Sequence, residues 1–156
     1  MPQLLFDLAS LDLSRVVLGV PEIEGLNPHR GVMRLLDGVL HIDPDGDRGV
    51  AFKDVRADEY WVPGHIPGRP LFPGVLMIEI AAQLASLMRQ VRARDGKFMG
   101  FVGVEDVRFR GQVVPGDRLV MAGKAVEYKP RRTICACQGF VGGTPVFEAR
   151  VIGMPI

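Results

Sequence analysis

The segment from residue 74 to residue 93 constrains the fold more than any other part of the sequence. A helix over this segment would be apolar in nearly every direction, through Val75, Leu76, Met77, Ile78, Ile80, Ala81, Ala82, Leu84, Ala85, Leu87, Met88 and Val91. A helix that is apolar on all sides belongs in a protein core. Pro73 stands at its start, where a missing N–H costs nothing, and Gly96 follows its end. We therefore predict one buried helix over residues 74–93.

The rest of the sequence has the pattern of strands separated by turns. Turn sequences such as DPDGD, VPGD and GGT punctuate the chain. The predicted strands cover residues 33–43, 48–55, 98–109, 118–128, 133–141 and 145–154. Connections this short leave no room for crossover helices, so the sheet should be antiparallel. One apolar helix beside about six antiparallel strands predicts an α+β fold in which the sheet wraps the helix.

The length and composition fit one globular domain. The chain has 156 residues, of which 47 % are hydrophobic and 24 % are charged, close to ordinary usage. We predict a single domain over residues 1–156, with residues 1–25 as an N-terminal arm that is either a weak helix or irregular. The net charge of +1 gives no electrostatic case for nucleic acid or an anionic membrane as a partner.

Neither a membrane span nor a redox site is expected from the sequence. No apolar run reaches the ~18 residues that cross a bilayer, and residues 1–26 lack the pattern of a signal peptide. Cys135 and Cys137 are two positions apart, where a disulfide on one strand would be strained. No CxxC motif or cysteine–histidine cluster occurs. We therefore expect reduced thiols in a cytoplasmic protein that uses no metal and no cofactor.

A polar stripe runs along the predicted helix. Its members are spaced i, i+4, i+7 and i+11, which places them on one face: Glu79, Gln83, Ser86 and Gln90. In one interpretation the stripe is the solvent-facing edge of the helix. In the other it faces a ligand or a second subunit, and Glu79 is a working acid. The spacing by itself favours solvent exposure.

The loop before the helix favours the catalytic interpretation. Pro63, Pro67, Pro70 and Pro73 surround His65. Proline fixes its own φ and restricts the residue before it, and such a frame suits an imidazole that must stay aimed. A structural role for His65 remains the alternative.

The start of the helix adds a third chemical group. Gly74 and Val75 present N–H groups without intrahelical acceptors, which favour a developing negative charge. A base, an acid and an oxyanion donor thus occur between His65 and Glu79. These groups suffice to remove a proton next to a carbonyl and to expel a hydroxide as water.

The segment GHIPGRPLFPGVLMIEIAAQ, residues 64–83, closely resembles the signature of the 3-hydroxyacyl-(acyl carrier protein) dehydratases of the FabZ type. A second block, FVGVEDVRFRGQVVPGD (101–117), resembles a later strand and turn of that family, and NPHRG (27–31) resembles its N-terminal segment more loosely. The resemblance covers about residues 26–154. It implies the hotdog fold, in which an antiparallel sheet wraps a long central helix.

The resemblance also implies roles for individual residues. His65 matches the histidine that takes the C2 proton, and Glu79 matches the acid that helps the 3-hydroxyl group leave. Gly74 matches the glycine whose N–H binds the thioester carbonyl. Phe72, Val75 and Gln83 are the remaining residues expected at the substrate. The resemblance implies loss of water from a (3R)-3-hydroxyacyl thioester to give the trans-2-enoyl thioester, as in fatty-acid biosynthesis.

Partners follow from the same resemblance. The substrate would arrive on an acyl carrier protein. Family members form homodimers that share active sites, with histidine and glutamate from different subunits, and often assemble as trimers of dimers. On this view the polar stripe of the helix faces the partner subunit. The basic residues expected to dock a carrier are Arg89, Arg92, Arg94, Lys97, Arg108 and Arg110.

Two other functions stay open on the sequence alone. A hotdog thioesterase would use Glu79 to activate water, which leaves His65 without a clear task. A non-catalytic acyl-binding subunit is the other alternative, because the chain departs from the family after NPHRG, where the usual proline and phenylalanine are missing. His29, within NPHRG, is expected to form structural hydrogen bonds.

Overall fold

The computed structural model describes residues 2–156, and within them one antiparallel sheet of six strands surrounds one long helix. The helices are α1 (Val20–Leu26) and α2 (Gly74–Ala93), and the strands are β1 (Gly38–Ile42), β2 (Arg48–Asp54), β3 (Met99–Phe109), β4 (Arg118–Lys129), β5 (Arg132–Val141) and β6 (Thr144–Pro155). The strand order is β1-β2-β4-β5-β6-β3, and α2 packs against β2 to β6. The predicted α+β fold is confirmed.

The first strand is the one element whose predicted bounds were wrong. Residues 33–43 were expected to be extended, but β1 begins only at Gly38, and Gly31–Met33 forms a short 3-10 turn. The reason is a long-range hydrogen bond. The Leu35 N–H donates to the side-chain oxygen of Gln83 at 2.9 Å instead of joining the sheet.

The helix α2 forms the centre of the main core. Ile80, Leu84 and Leu87 are fully buried, and each contributes about 1.5–3 kcal/mol by leaving water. The helix ends at Ala93, and the next residue, Arg94, adopts a left-handed conformation and donates its N–H to Gln90 O at 3.1 Å. By length and composition α2 is a candidate membrane span, yet 67 % of that window is buried within the fold.

The N-terminal arm covers the face of the sheet opposite α2. Successive residues of a strand point to opposite faces: Ala51 packs in the core around α2, whereas its neighbours belong to a second apolar cluster. The cluster on the sheet is Leu40, Val50, Phe52, Ala122 and Phe140, and the arm packs Phe6, Leu8, Leu11 and Leu13 against it. The side chain of Gln138 fastens the arm by accepting from Leu5 N–H at 3.0 Å and donating to Gln3 O at 2.7 Å.

The hairpin between β1 and β2 turns tightly against the end of α2. Gly46 lies in this turn with φ at +70°, a conformation that other residues adopt at a cost. A Cβ atom on Gly46 would also collide with the backbone oxygen of Met88. Glycine is therefore required here by both conformation and space.

Replacing Gly46 by alanine should lower the free energy of unfolding by about 1–3 kcal/mol, because strain and the collision with Met88 O act together. Urea denaturation followed by circular dichroism measures this change. Gly25→Ala is the matched control, since an added Cβ there meets no atom within 4 Å. Equal stability of the two variants would contradict the assigned role of Gly46.

Candidate active site

Backbone hydrogen bonds and the packing of two buried rings fix the loop that carries His65. The His65 N–H donates to Trp61 O at 2.9 Å, and the Leu71 N–H donates to His65 O at 2.9 Å. The buried rings of Trp61 and Phe72 pack edge to face with centroids 5.4 Å apart. The Phe72 N–H also donates to Val113 O at 2.8 Å. The loop is thus fixed at both ends while His65 itself stays exposed.

The hydrogen bond of the His65 ring assigns its tautomer. Ring atom Nδ1 lies 2.6 Å from Leu71 O, and a carbonyl oxygen can only accept. The proton of a neutral imidazole therefore sits on Nδ1, and Nε2 keeps its lone pair. The exposed ring thus presents a base on its free edge.

The N-terminus of α2 presents free N–H groups beside an aromatic ring. Among the residues described, no acceptor pairs with the N–H of Gly74 or Val75. The Phe109 ring lies so close that a Cβ on Gly74 would be 2.8 Å from its Cε1 atom. Only glycine allows this approach.

An open cavity adjoins this helix end. Its volume is about 590 Å³, within the range of small-molecule sites. Apolar side chains dominate its walls, among them Leu71, Phe72, Val75, Met77, Phe109 and Val113. The predicted residues Phe72, Gly74 and Val75 therefore come together around one space that could hold an apolar chain.

Glu79 lies one turn along α2 from Val75 and is half-buried. Its Oε1 atom accepts a hydrogen bond of 2.9 Å from Gln83 Nε2. The Nε2 atom of His29 lies 3.6 Å from the same oxygen. The Oε2 atom has no hydrogen-bond partner among residues 2–156. One oxygen of Glu79 is thus held, and the other is free to react.

Gln83 is the most connected side chain of the site. Its Nε2 atom also donates to Met33 O at 2.7 Å, and its Oε1 atom accepts from the Leu35 N–H at 2.9 Å. Its backbone oxygen accepts from Asn27 Nδ2 at 2.9 Å. Gln83 therefore ties the segment before β1 to α2 and orients Glu79.

The polar stripe of α2, which was expected to face solvent or a partner subunit, is mostly buried within the single chain. Gln83, Ser86 and Gln90 are 1 %, 2 % and 8 % exposed within a single chain. Gln83 faces the chain's own residues 33–35, neither solvent nor a partner subunit. Only Glu79 keeps partial exposure. The expectation failed because the spacing shows which residues share a face but not what covers that face.

His29 is the residue whose place in the site was missed. It was expected to be structural, but its ring lies against Glu79. Burial lowers the pKa of His29, with Glu79 opposing this effect and Arg30 adding to it. The position of NPHRG beside Glu79 depends on the Asn27 and Gln83 contacts, which no local pattern encodes.

One of the residues expected to dock a carrier is unavailable. Arg89 is 5 % exposed and pairs with Asp95 at 2.7 Å. It also donates to Lys97 O at 2.8 Å. The Arg89 hydrogen bond holds the pKa of Asp95 down to about 2. Arg89 thus closes the loop after α2, and the docking role expected for it is wrong.

The cysteines lie away from these residues. Cys135 and Cys137 are free and buried, with sulfur atoms 3.8 Å apart. The contact with Cys135 and burial raise the pKa of Cys137 well above its usual value. Within residues 2–156, no three side chains of His, Cys, Asp or Glu gather as a metal site would need.

The fold and the site together define a class of protein. A long helix wrapped by a six-stranded antiparallel sheet is the hotdog fold. Residues 27–150 match the model of the FabA-like domain, and the chain belongs to that family.

Solved structures with the same fold include a dehydratase complex and a hypothetical thioesterase. A dehydratase heterocomplex, ApeI:P from Xenorhabdus doucetiae, is similar with a TM-score of 0.72 and 17 % identity, covering 86 % of this chain and 90 % of that one. AziG of S. sahachiroi is similar with a TM-score of 0.65 and 20 % sequence identity, and the match covers 84 % of this chain and 98 % of that one. A hypothetical thioesterase with coenzyme A from Streptococcus pneumoniae is similar with a TM-score of 0.59 and 12 % sequence identity. The match covers 76 % of this chain and 84 % of that one. At these identities the likeness shows the fold alone.

Replacing Gln83 by leucine should destabilise the fold, because Leu35 N–H and Met33 O lose their partner. Each buried group left unpaired costs about 1–3 kcal/mol. Urea denaturation monitored by tryptophan fluorescence measures the loss. Gln112→Leu is the matched control at an exposed position, where the expected change stays within about 0.5 kcal/mol. A Gln83 variant as stable as this control would contradict the bridging role.

Proposed function

We propose that this protein is a dehydratase that removes water from a (3R)-3-hydroxyacyl thioester and releases the trans-2-enoyl thioester. The observation that carries the proposal is the ring hydrogen bond of His65 to Leu71 O, which leaves a basic Nε2 on an exposed and rigid loop. General-base removal of a proton next to a carbonyl needs such a group.

Glu79 and the helix N-terminus supply the complementary groups. The Oε2 atom of Glu79 is the oxygen open to a substrate, since the hydrogen bond from Gln83 and the nearby His29 ring both fall on Oε1. The free N–H of Gly74 can stabilise negative charge on a thioester oxygen. The adjoining cavity of about 590 Å³ suits the acyl chain.

The proposed reaction balances in protons and electrons. His65 Nε2 takes a proton from C2, and the Gly74 N–H stabilises the enolate-like oxygen. The electron pair from the C2–H bond forms the C2=C3 double bond as the C3–O bond breaks. Glu79 Oε2 gives its proton to the departing hydroxyl group, which leaves as water. Transfer of the proton from His65 back to Glu79 through solvent resets the site.

We further propose a homodimer in which each site uses His65 of one subunit and Glu79 of the other. No hydrogen bond or ion pair joins these two side chains within residues 2–156. The sheet offers a surface for pairing, because β3 is an edge strand with exposed Phe101 and Val102. An open edge of this kind favours pairing with a further strand. The opposite edge is covered, since Leu18 bridges to Val39 of β1.

An acyl carrier protein is the proposed donor of the thioester, following the family resemblance. Exposed cations at Arg94, Lys97 and Arg108 remain available to an acidic carrier. Arg108 adjoins Phe109, which lines the cavity.

A thioesterase is the second candidate. The partly exposed carboxyl of Glu79 could activate water, and the similar protein of Streptococcus pneumoniae is described as a hypothetical thioesterase. Under this alternative the ordered base at His65 has no assigned task.

One assay separates these functions. The protein is mixed with crotonyl or 3-hydroxybutyryl thioester while enoyl absorbance and free thiol are followed together. We expect interconversion of the two thioesters, and we expect His65→Ala to lower its rate by about 10²–10⁴-fold. His41→Ala is the matched control, since that histidine lies on β1 and pairs with Asp43.

The other outcomes of the assay each have a meaning. Release of free thiol would show that the protein is a thioesterase and would contradict the dehydratase proposal. Absence of both signals in a folded protein would favour a non-catalytic acyl-binding subunit. Full activity of His65→Ala would remove His65 from the mechanism.

Mixed dimers test whether the sites are shared. His65→Ala and Glu79→Gln chains carrying different affinity tags are co-expressed, and dimers that hold both tags are isolated. If each site draws on both subunits, such a dimer has one intact site and should show about half of the wild-type activity. If each site uses a single chain, the mixed dimer has no intact site and stays inactive.

A further inference from the structure

His29 is fixed beside the carboxyl group of Glu79 by contacts that do not involve its own ring. Asn27 N–H donates to Ile23 O at 2.8 Å, and Asn27 Nδ2 donates to Gln83 O at 2.9 Å. These two bonds dock the segment before β1 on α1 and α2. The imidazole follows, with Nε2 placed 3.6 Å from Glu79 Oε1.

The surroundings of the ring assign a proton to Nε2. The Nδ1 atom of His29 is buried and has no hydrogen-bond partner in the described part of the chain. A buried N–H without an acceptor is a rarer and costlier defect than an unpaired acceptor. The ring therefore keeps Nδ1 as the bare nitrogen and directs its N–H toward Glu79.

Burial of this ring keeps it neutral near pH 7, because it lowers the pKa of His29 below its ordinary value. The charged groups that act on it are Glu79 across the contact and Arg30 beside it in the chain. A permanent cation in this place would form an ion pair with the carboxyl group of Glu79. A neutral ring instead turns an N–H toward that group without adding a charge.

We propose that His29 is a positioning residue for Glu79. Together with Gln83 it directs N–H groups at Oε1, which reserves Oε2 for the proton that the leaving hydroxyl group takes. This role rests on the proposed dehydratase function. In this role His29 acts on the reaction only through Glu79.

Two substitutions at one position test this role. His29→Leu removes the N–H, whereas His29→Gln keeps an amide N–H at about the position of Nε2. We expect His29→Leu to lower kcat for dehydration by about tenfold or more, with KM little changed, since the carboxyl is misaligned while acyl binding is untouched. His29→Gln should keep kcat within about threefold of the wild type.

Rescue by the conservative variant distinguishes positioning from a purely structural role. A loss of kcat caused only by a looser fold should appear in both variants, because both remove the imidazole ring. A loss caused by the missing N–H should appear in His29→Leu and return toward the wild-type value in His29→Gln. Urea denaturation of both variants reports any loss of stability separately.

The outcomes separate this inference from the proposed function. A wild type without dehydratase activity overturns the proposed function and the role of His29 with it. An active wild type matched by His29→Leu overturns only the role of His29, as do equal losses of kcat in both variants. Nitrogen NMR of the histidine rings gives a test that does not depend on variants. A neutral His29 with its proton on Nδ1 would contradict the proposal.

Discussion

The burial of α2 inside the sheet is the constraint on which the other features depend. Burying a polar side chain of this helix without a hydrogen-bond partner costs about 1–3 kcal/mol per unpaired group, against a total stability of about 5–15 kcal/mol. Gln83 is 1 % exposed and therefore needs partners. Met33, Leu35 and Asn27 supply them. The segment before β1 is docked on the helix as a result, and His29 arrives beside Glu79.

Most of the fold could be predicted because its determinants are local. Helix α2 was placed from its apolar composition, the proline at its start and the glycine beyond its end, and the strands after it from turn sequences. Residues 33–37 are the exception. Their apolar residues suggest a strand, but the Leu35 N–H is used by Gln83, 48 positions away in the chain. Neither residue's local sequence announces such a contact.

The candidate site also has a part that could be predicted from local sequence and a part that depends on long-range contacts. His65, Gly74 and Glu79 could be singled out because one continuous segment carries them and their chemical types fit one reaction. What covers the polar stripe could not be predicted, since its partners come from residues 27–35. One signal was present in the sequence. If Gln83 is buried on an apolar helix, its amide requires both donors and acceptors. The segment that supplies them, residues 27–35, then lies beside Glu79 as well.

The proposed base and acid are held by different parts of the structure, and this separation serves the proposed chemistry. If His65 and Glu79 were hydrogen-bonded directly, the acid could pass its proton to the base before substrate bound, and neither group would have the form that the reaction needs. In one chain His65 is fixed by the loop backbone and Leu71, whereas Glu79 is fixed from α2 by Gln83. A homodimer would bring the two groups to opposite sides of a substrate without first joining them. The acyl thioester would then be the element that couples them.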